Sequence, residues 1–186
     1  MIGYAFCGSF CTLSHSLAAL RRLRAEGREV LPIFSPSVDT TDTRFWKRAE
    51  FKEAVVRLCG HEPICTIPEA EPLGPSRPLE ALIIAPCTGN TLAKLANGIT
   101  DTAVTMAAKA HLRCDRPLVI ALASNDSMSA NLTNIAKLLL RKQVYFIPMQ
   151  QDDPEKKPHS LVANFTEISE GLSAAQEGRQ LRPLFL

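Results

Sequence analysis

The chain has 186 residues, 46% hydrophobic and 22% charged, which fits one globular domain with a sizeable core. A net charge of +2 and the absence of any Lys/Arg block argue against a nucleic-acid partner. No apolar run approaches the ~20 residues of a membrane-spanning helix, so no membrane partner is expected.

Ile2 to Phe6 reads as a buried strand. Ser14 to Glu26 reads as a helix, with Leu13, Leu17, Leu20 and Leu23 at helical spacing and Gly27 as its stop. Val30 to Phe34 is a second strand. Phe45 to Cys59 is a helix with Phe45, Phe51, Val55 and Leu58 on its apolar side, closed by Gly60. Ile64 to Ile67 is a short strand candidate, and Pro68 to Pro78 a Pro-rich loop. Ala81 to Ala85 is a strand, followed by helices at Thr88 to Asn97 and Thr102 to Leu112. Leu118 to Ala123 is the next strand, Ser129 to Lys142 a helix and Val144 to Ile147 the last strand. Gln150 to Pro158 is charged and contains Pro, hence a loop. Asn164 to Glu177 is a C-terminal helix before the tail Gln180 to Leu186.

Alternation of this kind predicts an α/β fold, a three-layer α/β/α sandwich around a doubly wound parallel sheet of Rossmann-like or flavodoxin-like form. One domain, residues 1–186, accounts for the whole pattern, with the helix and tail 164–186 at its end. Met1 to Phe6 lacks the basic flank and cleavage site of a signal peptide. The six cysteines, Cys7, Cys11, Cys59, Cys65, Cys87 and Cys114, form no CxxC pair. Reduced thiols and a cytoplasmic location are therefore expected.

In such a sheet all strand C-terminal ends share one edge, where open α/β proteins bind ligands. Four turns fall there. The first, Cys7-Gly8-Ser9-Phe10-Cys11-Thr12, has one glycine for close backbone approach and more hydroxyls than a helix cap needs. It is not GxGxxG, and no acidic residue ends the second strand to hold a ribose. The second, Ser35 to Thr43, offers Ser35 and Ser37, with Asp42 or Thr43 as a helix cap. The third, Ala85-Pro86-Cys87-Thr88-Gly89-Asn90-Thr91, crowds Thr88, Asn90 and Thr91 at a helix start, where free N–H groups and the helix dipole favour an anion. Lys94 lies one turn further on, to reach an anion or stand in solvent. The fourth, Ala123-Ser124-Asn125-Asp126-Ser127-Met128, would wall a heterocycle, with Met128 against a flat ring.

These residues carry a resemblance. Pro86-Cys87-Thr88-Gly89-Asn90-Thr91 resembles the Pro-Ala-Ser-Ala-Asn-Thr motif of the flavin-binding cysteine-decarboxylase-like flavoproteins, and Ala123 to Met128 resembles that family's Pro-Ala-Met-Asn-x-x-Met turn. Asn125 and Met128 are only approximately in register, while the Gly8-Ser9 loop matches the family's flavin-phosphate loop. The resemblance implies FMN bound across Gly8, Ser9, Phe10, Thr12, Ser35, Ser37, Pro86, Thr88, Asn90, Thr91, Lys94, Ala123, Ser124, Asn125 and Met128, in a homo-oligomer with sites at subunit interfaces. Ile2 to Thr12, Ala85 to Ala108 and Lys157 to Ala163 are similar to one branch of the family. In that branch the flavoprotein-like chain works beside a nicotinamide-binding subunit that carries NAD(P). The pair serves sporulating bacteria and acts on a small dicarboxylate.

Two departures narrow the expectation. The family's decarboxylases place a catalytic His in the helix after the second strand, where Phe45-Trp46-Lys47-Arg48-Ala49-Glu50-Phe51 has none. Their Gly- and Cys-containing lid corresponds to Gln150 to Lys157, which has neither. Three readings stay open: an oxidoreductase subunit, a non-catalytic scaffolding subunit, and an independent flavin-dependent decarboxylase or prenyl-transfer enzyme. His15, His61, His111 and His159 are dispersed, and no metal is expected. Cys7, Cys11 and Cys87 read as small packing residues. Arg44, Lys47 and Arg48 are either a carboxylate clamp or a solvated helix face.

Overall fold

The computed structural model describes residues 1–186. Strands β1 (Ile2–Phe6), β2 (Val30–Phe34), β3 (Leu82–Cys87), β4 (Leu118–Ser124), β5 (Val144–Phe146), β6 (Met149–Gln150) and β7 (Leu161–Ala163) form one seven-stranded sheet. Its order is β2-β1-β3-β4-β7-β6, with β5 also pairing β4. The first five strands pair in parallel, each buried on both faces, which is why they read as continuous apolar runs.

The period-2 alternation of β4 divides the core. Val119 and Ala121 face the side covered by helices α1 (Leu13–Ala25), α3 (Arg48–Cys59) and α8 (Ile168–Gln176). Leu118, Ile120 and Leu122 face α5 (Gly89–Asn97), α6 (Ala103–Leu112) and α7 (Leu132–Leu139). The leucine stripe of α1 is buried as its spacing predicts. Phe51 of α3 packs 5.2 Å, ring to ring, from Phe6 of β1.

The sheet is mostly rather than wholly parallel. β7 runs antiparallel to the end of β4, and β6 antiparallel to β7. Strands of two and three residues carry no readable periodicity, so Gln150 reads as the start of a loop and Leu161 to Ala163 carries no strand signal. The expected strand at Ile64 to Ile67 is a single bridge, Ile33 to Ile64. A Thr66/Glu69 capping box then starts the short helix α4 (Ile67–Ala70). The turn after β2 holds another short helix, α2 (Pro36–Thr40). Helix α3 begins at Arg48, whose N–H donates to Asp42 at 3.0 Å. Phe45 therefore stands outside it, 47% exposed, under the Arg44 guanidinium. Helix α7 begins at Leu132, after the winding turn 125–131. No helix is long and apolar enough to cross a membrane.

His111 of α6 is fully buried. Its Nε2–H donates to the Pro117 carbonyl at 2.9 Å, leaving Nδ1 buried with no partner. A second ring proton would be a buried, unpaired donor, and burial lowers the histidine's pKa. The unfolded chain takes up that proton near a pKa of about 6.5. Stability is thus full above that pH and falls as pH drops below it. Urea unfolding at about pH 7.5 and about pH 5.5 should show an acid loss larger than that of His111→Gln by on the order of 1 kcal/mol. Equal losses in the two proteins would contradict this.

Candidate functional site

The chain moves outward from β1 to β2, then crosses to β3 on the other side of β1. Its direction of winding reverses there, which opens a crevice at the strand C-terminal ends. A cavity of about 330 Å³ occupies it, lined mainly by polar residues, with the Pro36 ring as its one aliphatic side chain. Gly8 belongs to the wall because a Cβ there would stand 2.9 Å from the Ser37 Cβ. Ser37 and Thr102 complete that side.

Ser35 is the unusual member. It sits at the N-cap position of α2, yet its hydroxyl caps nothing. The residue is 6% exposed and its Oγ has no partner. A buried hydroxyl left unsatisfied costs about 1–3 kcal/mol, and this one belongs to a residue that lines the cavity.

Helix α5 supplies the opposite wall. Thr88 caps it, accepting the Thr91 N–H at 3.2 Å and donating to the Thr91 hydroxyl at 3.1 Å. Thr91 in turn donates to Cys7 Sγ at 3.4 Å, tying the first turn of α5 to the residue that follows β1. Both threonine protons are therefore spent inside the chain. The first-turn N–H groups of Gly89 and Asn90 have no carbonyl four residues back within the helix and remain available. So does the helix dipole. Lys94 is the cavity's one cation, held at 2.8 Å by Asp101, whose carboxyl it keeps below the usual range.

A second, larger cavity of about 430 Å³ lies on the same edge, on the β4 side. Ser9, Cys11, Thr12 and His15 bound it from the β1–α1 turn, and Ala123, Ser124 and Asn125 from β4. The β6–β7 region closes it with Gln150, Asp152, Lys157, Val162 and Ala163, and Phe165 follows. Lys157 pairs with Asp152 at 2.7 Å. This ion pair lowers the aspartate's pKa and raises the lysine's.

The expected contacts thus divide. Gly8, Ser35, Ser37, Thr88, Asn90, Thr91 and Lys94 share the smaller cavity; Ser9, Thr12, Ala123, Ser124 and Asn125 share the larger one. Phe10, Pro86 and Met128 line neither. Phe10 packs on the α1 side of the core and Met128 on the α5 side, its N–H donating to the His159 carbonyl at 2.9 Å. Pro86 lies within β3 after a cis peptide, and its carbonyl accepts the Cys7 N–H. Cys7 and Cys87 are packing residues, their thiols pushed up by burial, Cys7 to about 11. Cys11 departs from that reading: it is exposed at the larger cavity. Arg44, Lys47 and Arg48 line neither strand-end cavity; Lys47 pairs with Asp42 at 3.6 Å. Residue chemistry in the sequence did not point to Asp152, Lys157, Asn164 or Phe165, because nothing local joins them to β4.

An α/β sheet of this winding, with a polar crevice at the reversal point, defines a nucleotide- or flavin-binding type of fold. The chain belongs to the Flavoprotein family, whose model matches residues 18–175. Within it the chain is 42% identical over 185 residues to the B subunit of dipicolinate synthase from Bacillus subtilis (strain 168), covering 100% of this chain and 92% of that one. A crystal structure of the B subunit of dipicolinate synthase from Bacillus halodurans C matches with a TM-score of 0.91 at 38% identity, covering 100% of this chain and 95% of that chain. The FMN-dependent cysteine decarboxylase SpaF shares the fold, with a TM-score of 0.70 at 21% identity over 94% of this chain and 95% of that chain.

Gly89 stands where the family motif has alanine, and the structure gives the reason. A Cβ there would lie 2.5 Å from Ser124 Oγ, 2.6 Å from Asn131 Nδ2 and 2.8 Å from Asp126 Oδ1. The missing side chain lets the β4 turn close onto the start of α5. Gly89→Ala should cost about 1–3 kcal/mol in urea unfolding, by overpacking. A variant as stable as the wild type would show that the turn yields freely.

Proposed function

We propose that this chain is the flavin-binding member of a two-component dipicolinate synthase. It binds FMN and acts with a separate nicotinamide-binding subunit, which carries NAD(P), to oxidise dihydrodipicolinate to dipicolinate in the mother-cell cytoplasm of a sporulating bacterium. Full-length similarity to the B subunit of dipicolinate synthase supports the assignment. The FMN-dependent decarboxylase that shares the fold supports the cofactor.

The observation that carries the flavin reading is the unpartnered hydroxyl of Ser35, a residue that lines a mainly polar cavity. A phosphate monoester supplies the acceptors that this donor lacks. Ser37, the Asn90 amide and the first-turn N–H groups of α5 surround the same space, and the helix dipole adds to their attraction. Lys94 provides one positive charge without flooding the site, since Asp101 already balances it. Gly8 lets the Ser37 side chain approach the β1 turn closely at this wall. The fit is thus to a phosphate with polyol hydroxyls behind it, which the ribityl phosphate of FMN presents.

When bound, FMN supplies two-electron redox chemistry. The chain itself binds, orients and shields. Oxidising the dihydro ring to an aromatic pyridine is driven by the aromaticity gained. Few acid–base groups are needed, and the thiols of Cys7 and Cys87, held protonated by burial, take no part. The helix α3, Arg48–Cys59, carries no histidine, which speaks against cysteine decarboxylation.

Purified protein mixed with FMN and then desalted should keep a visible flavin spectrum and gain thermal stability. Dipicolinate formation by the nicotinamide-binding subunit should rise when this chain is added and fall again when the flavin is stripped. A colourless protein that FMN does not stabilise would overturn the cofactor assignment. Full activity of the nicotinamide-binding subunit on its own would overturn the catalytic role and leave a scaffolding one.

A further inference from the structure

The larger cavity is left unassigned by a flavin phosphate held at Ser35. Its chemistry is different in kind. Ala123, Val162, Ala163 and Phe165 give it an apolar surface, where the smaller cavity has only the Pro36 ring among otherwise polar residues and Gly8. Lys157 is the only lysine or arginine among its lining residues. Its volume of about 430 Å³ exceeds that of a one-ring ligand.

Lys157 is held, not loose. Its ammonium donates to Asp152 at 2.7 Å, and the second oxygen of Asp152 accepts from the Ser160 hydroxyl. The segment is folded on itself: the Lys157 N–H donates to the Asp153 carbonyl at 2.7 Å, and Gln151 donates to the Pro158 carbonyl at 2.9 Å. Both Asp152 oxygens are engaged within the chain, while an ammonium has three donors and only one is committed here. The pair is partly exposed, with side chains 44% and 33% accessible, so it contributes little to stability. Turning part of the lysine's charge toward a ligand carboxylate costs correspondingly little.

We infer that the larger cavity is the binding site for a planar ring dicarboxylate, with Lys157 as the residue that selects for its charge. The ring lies against the apolar surface, Lys157 takes one carboxylate, and the Asn125 amide with the Ser9 hydroxyl, which accepts from Thr12 and keeps its own proton free, donates to the other. The inference rests on the proposed dipicolinate chemistry for the identity of the ring, not on flavin binding. Asp152 positions the lysine and keeps the empty cavity from carrying an unbalanced charge.

The test is isothermal titration of the full chain with pyridine-2,6-dicarboxylate, with and without excess FMN. Wild type should bind it. Lys157→Met should weaken binding at least about tenfold, the loss of one charge-assisted hydrogen bond, and Lys157→Arg should restore most of it. The uncharged pyridine-2,6-dicarboxamide should bind wild type and Lys157→Met alike, a result that a merely structural role for the lysine would not produce. FMN affinity should be the same in all three proteins, so failure of the flavin reading leaves this test intact. No binding of the dicarboxylate by wild type, or equal binding by Lys157→Met, would overturn the inference.

Discussion

Parallel pairing of β1 with β2 on one side and β3 on the other sets where the chemistry falls. Parallel strands need crossovers, and each crossover returns the chain to the same starting edge. Strands β1 to β5 therefore all end at the opposite edge, and the reversal of winding about β1 leaves a gap there that no helix fills. Residues 8, 35, 37, 88, 90 and 91 are far apart in sequence. They meet because β1, β2 and β3 stop together. The Thr88–Thr91–Cys7 chain of hydrogen bonds locks two of those ends, and it uses up the hydroxyls that sequence alone marked as ligand donors.

That locking shapes the electrostatics. A phosphate site can be built from many cations or from neutral donors with one balanced charge, and this edge takes the second course. Lys94 is neutralised by Asp101, so the attraction left over comes from N–H groups, an amide and a buried serine. The larger cavity repeats the pattern with Lys157 and Asp152 over an apolar surface. Two neighbouring sites of this kind, one lined mainly by polar residues and one with an aliphatic and aromatic wall, suit a phosphorylated cofactor beside a ring substrate.

Much of this was legible in the sequence. Long apolar runs and leucine spacing located the five parallel strands and the main helices, because burial on two faces and a 3.6-residue stripe both leave strong patterns. The hairpin of β6 and β7 was not legible: two- and three-residue strands have no period, and their pairing with Ala123 and Ser124 is a tertiary fact. The four turns were readable as one ligand edge from topology alone. Their division into two cavities was not, since it depends on the Gly8–Ser9 turn passing between them. Lys157 was invisible as chemistry for the same reason, lying in a charged loop that only the fold carries to β4. The clash that explains Gly89 could be seen only once Ser124, Asp126 and Asn131 were in place.

The central claim is that Ser35 holds an unmet hydrogen bond for the phosphate of a flavin nucleotide. Removing that hydroxyl should do two opposite things. Ser35→Ala, measured by urea unfolding without ligand, should match or exceed wild-type stability by up to about 1 kcal/mol, because an unsatisfied buried group is gone. The same variant, titrated with FMN by fluorescence quenching, should bind about tenfold more weakly, while riboflavin, which lacks the phosphate, binds both proteins equally. A variant that loses stability without ligand, or that binds FMN as tightly as the wild type, would contradict the account.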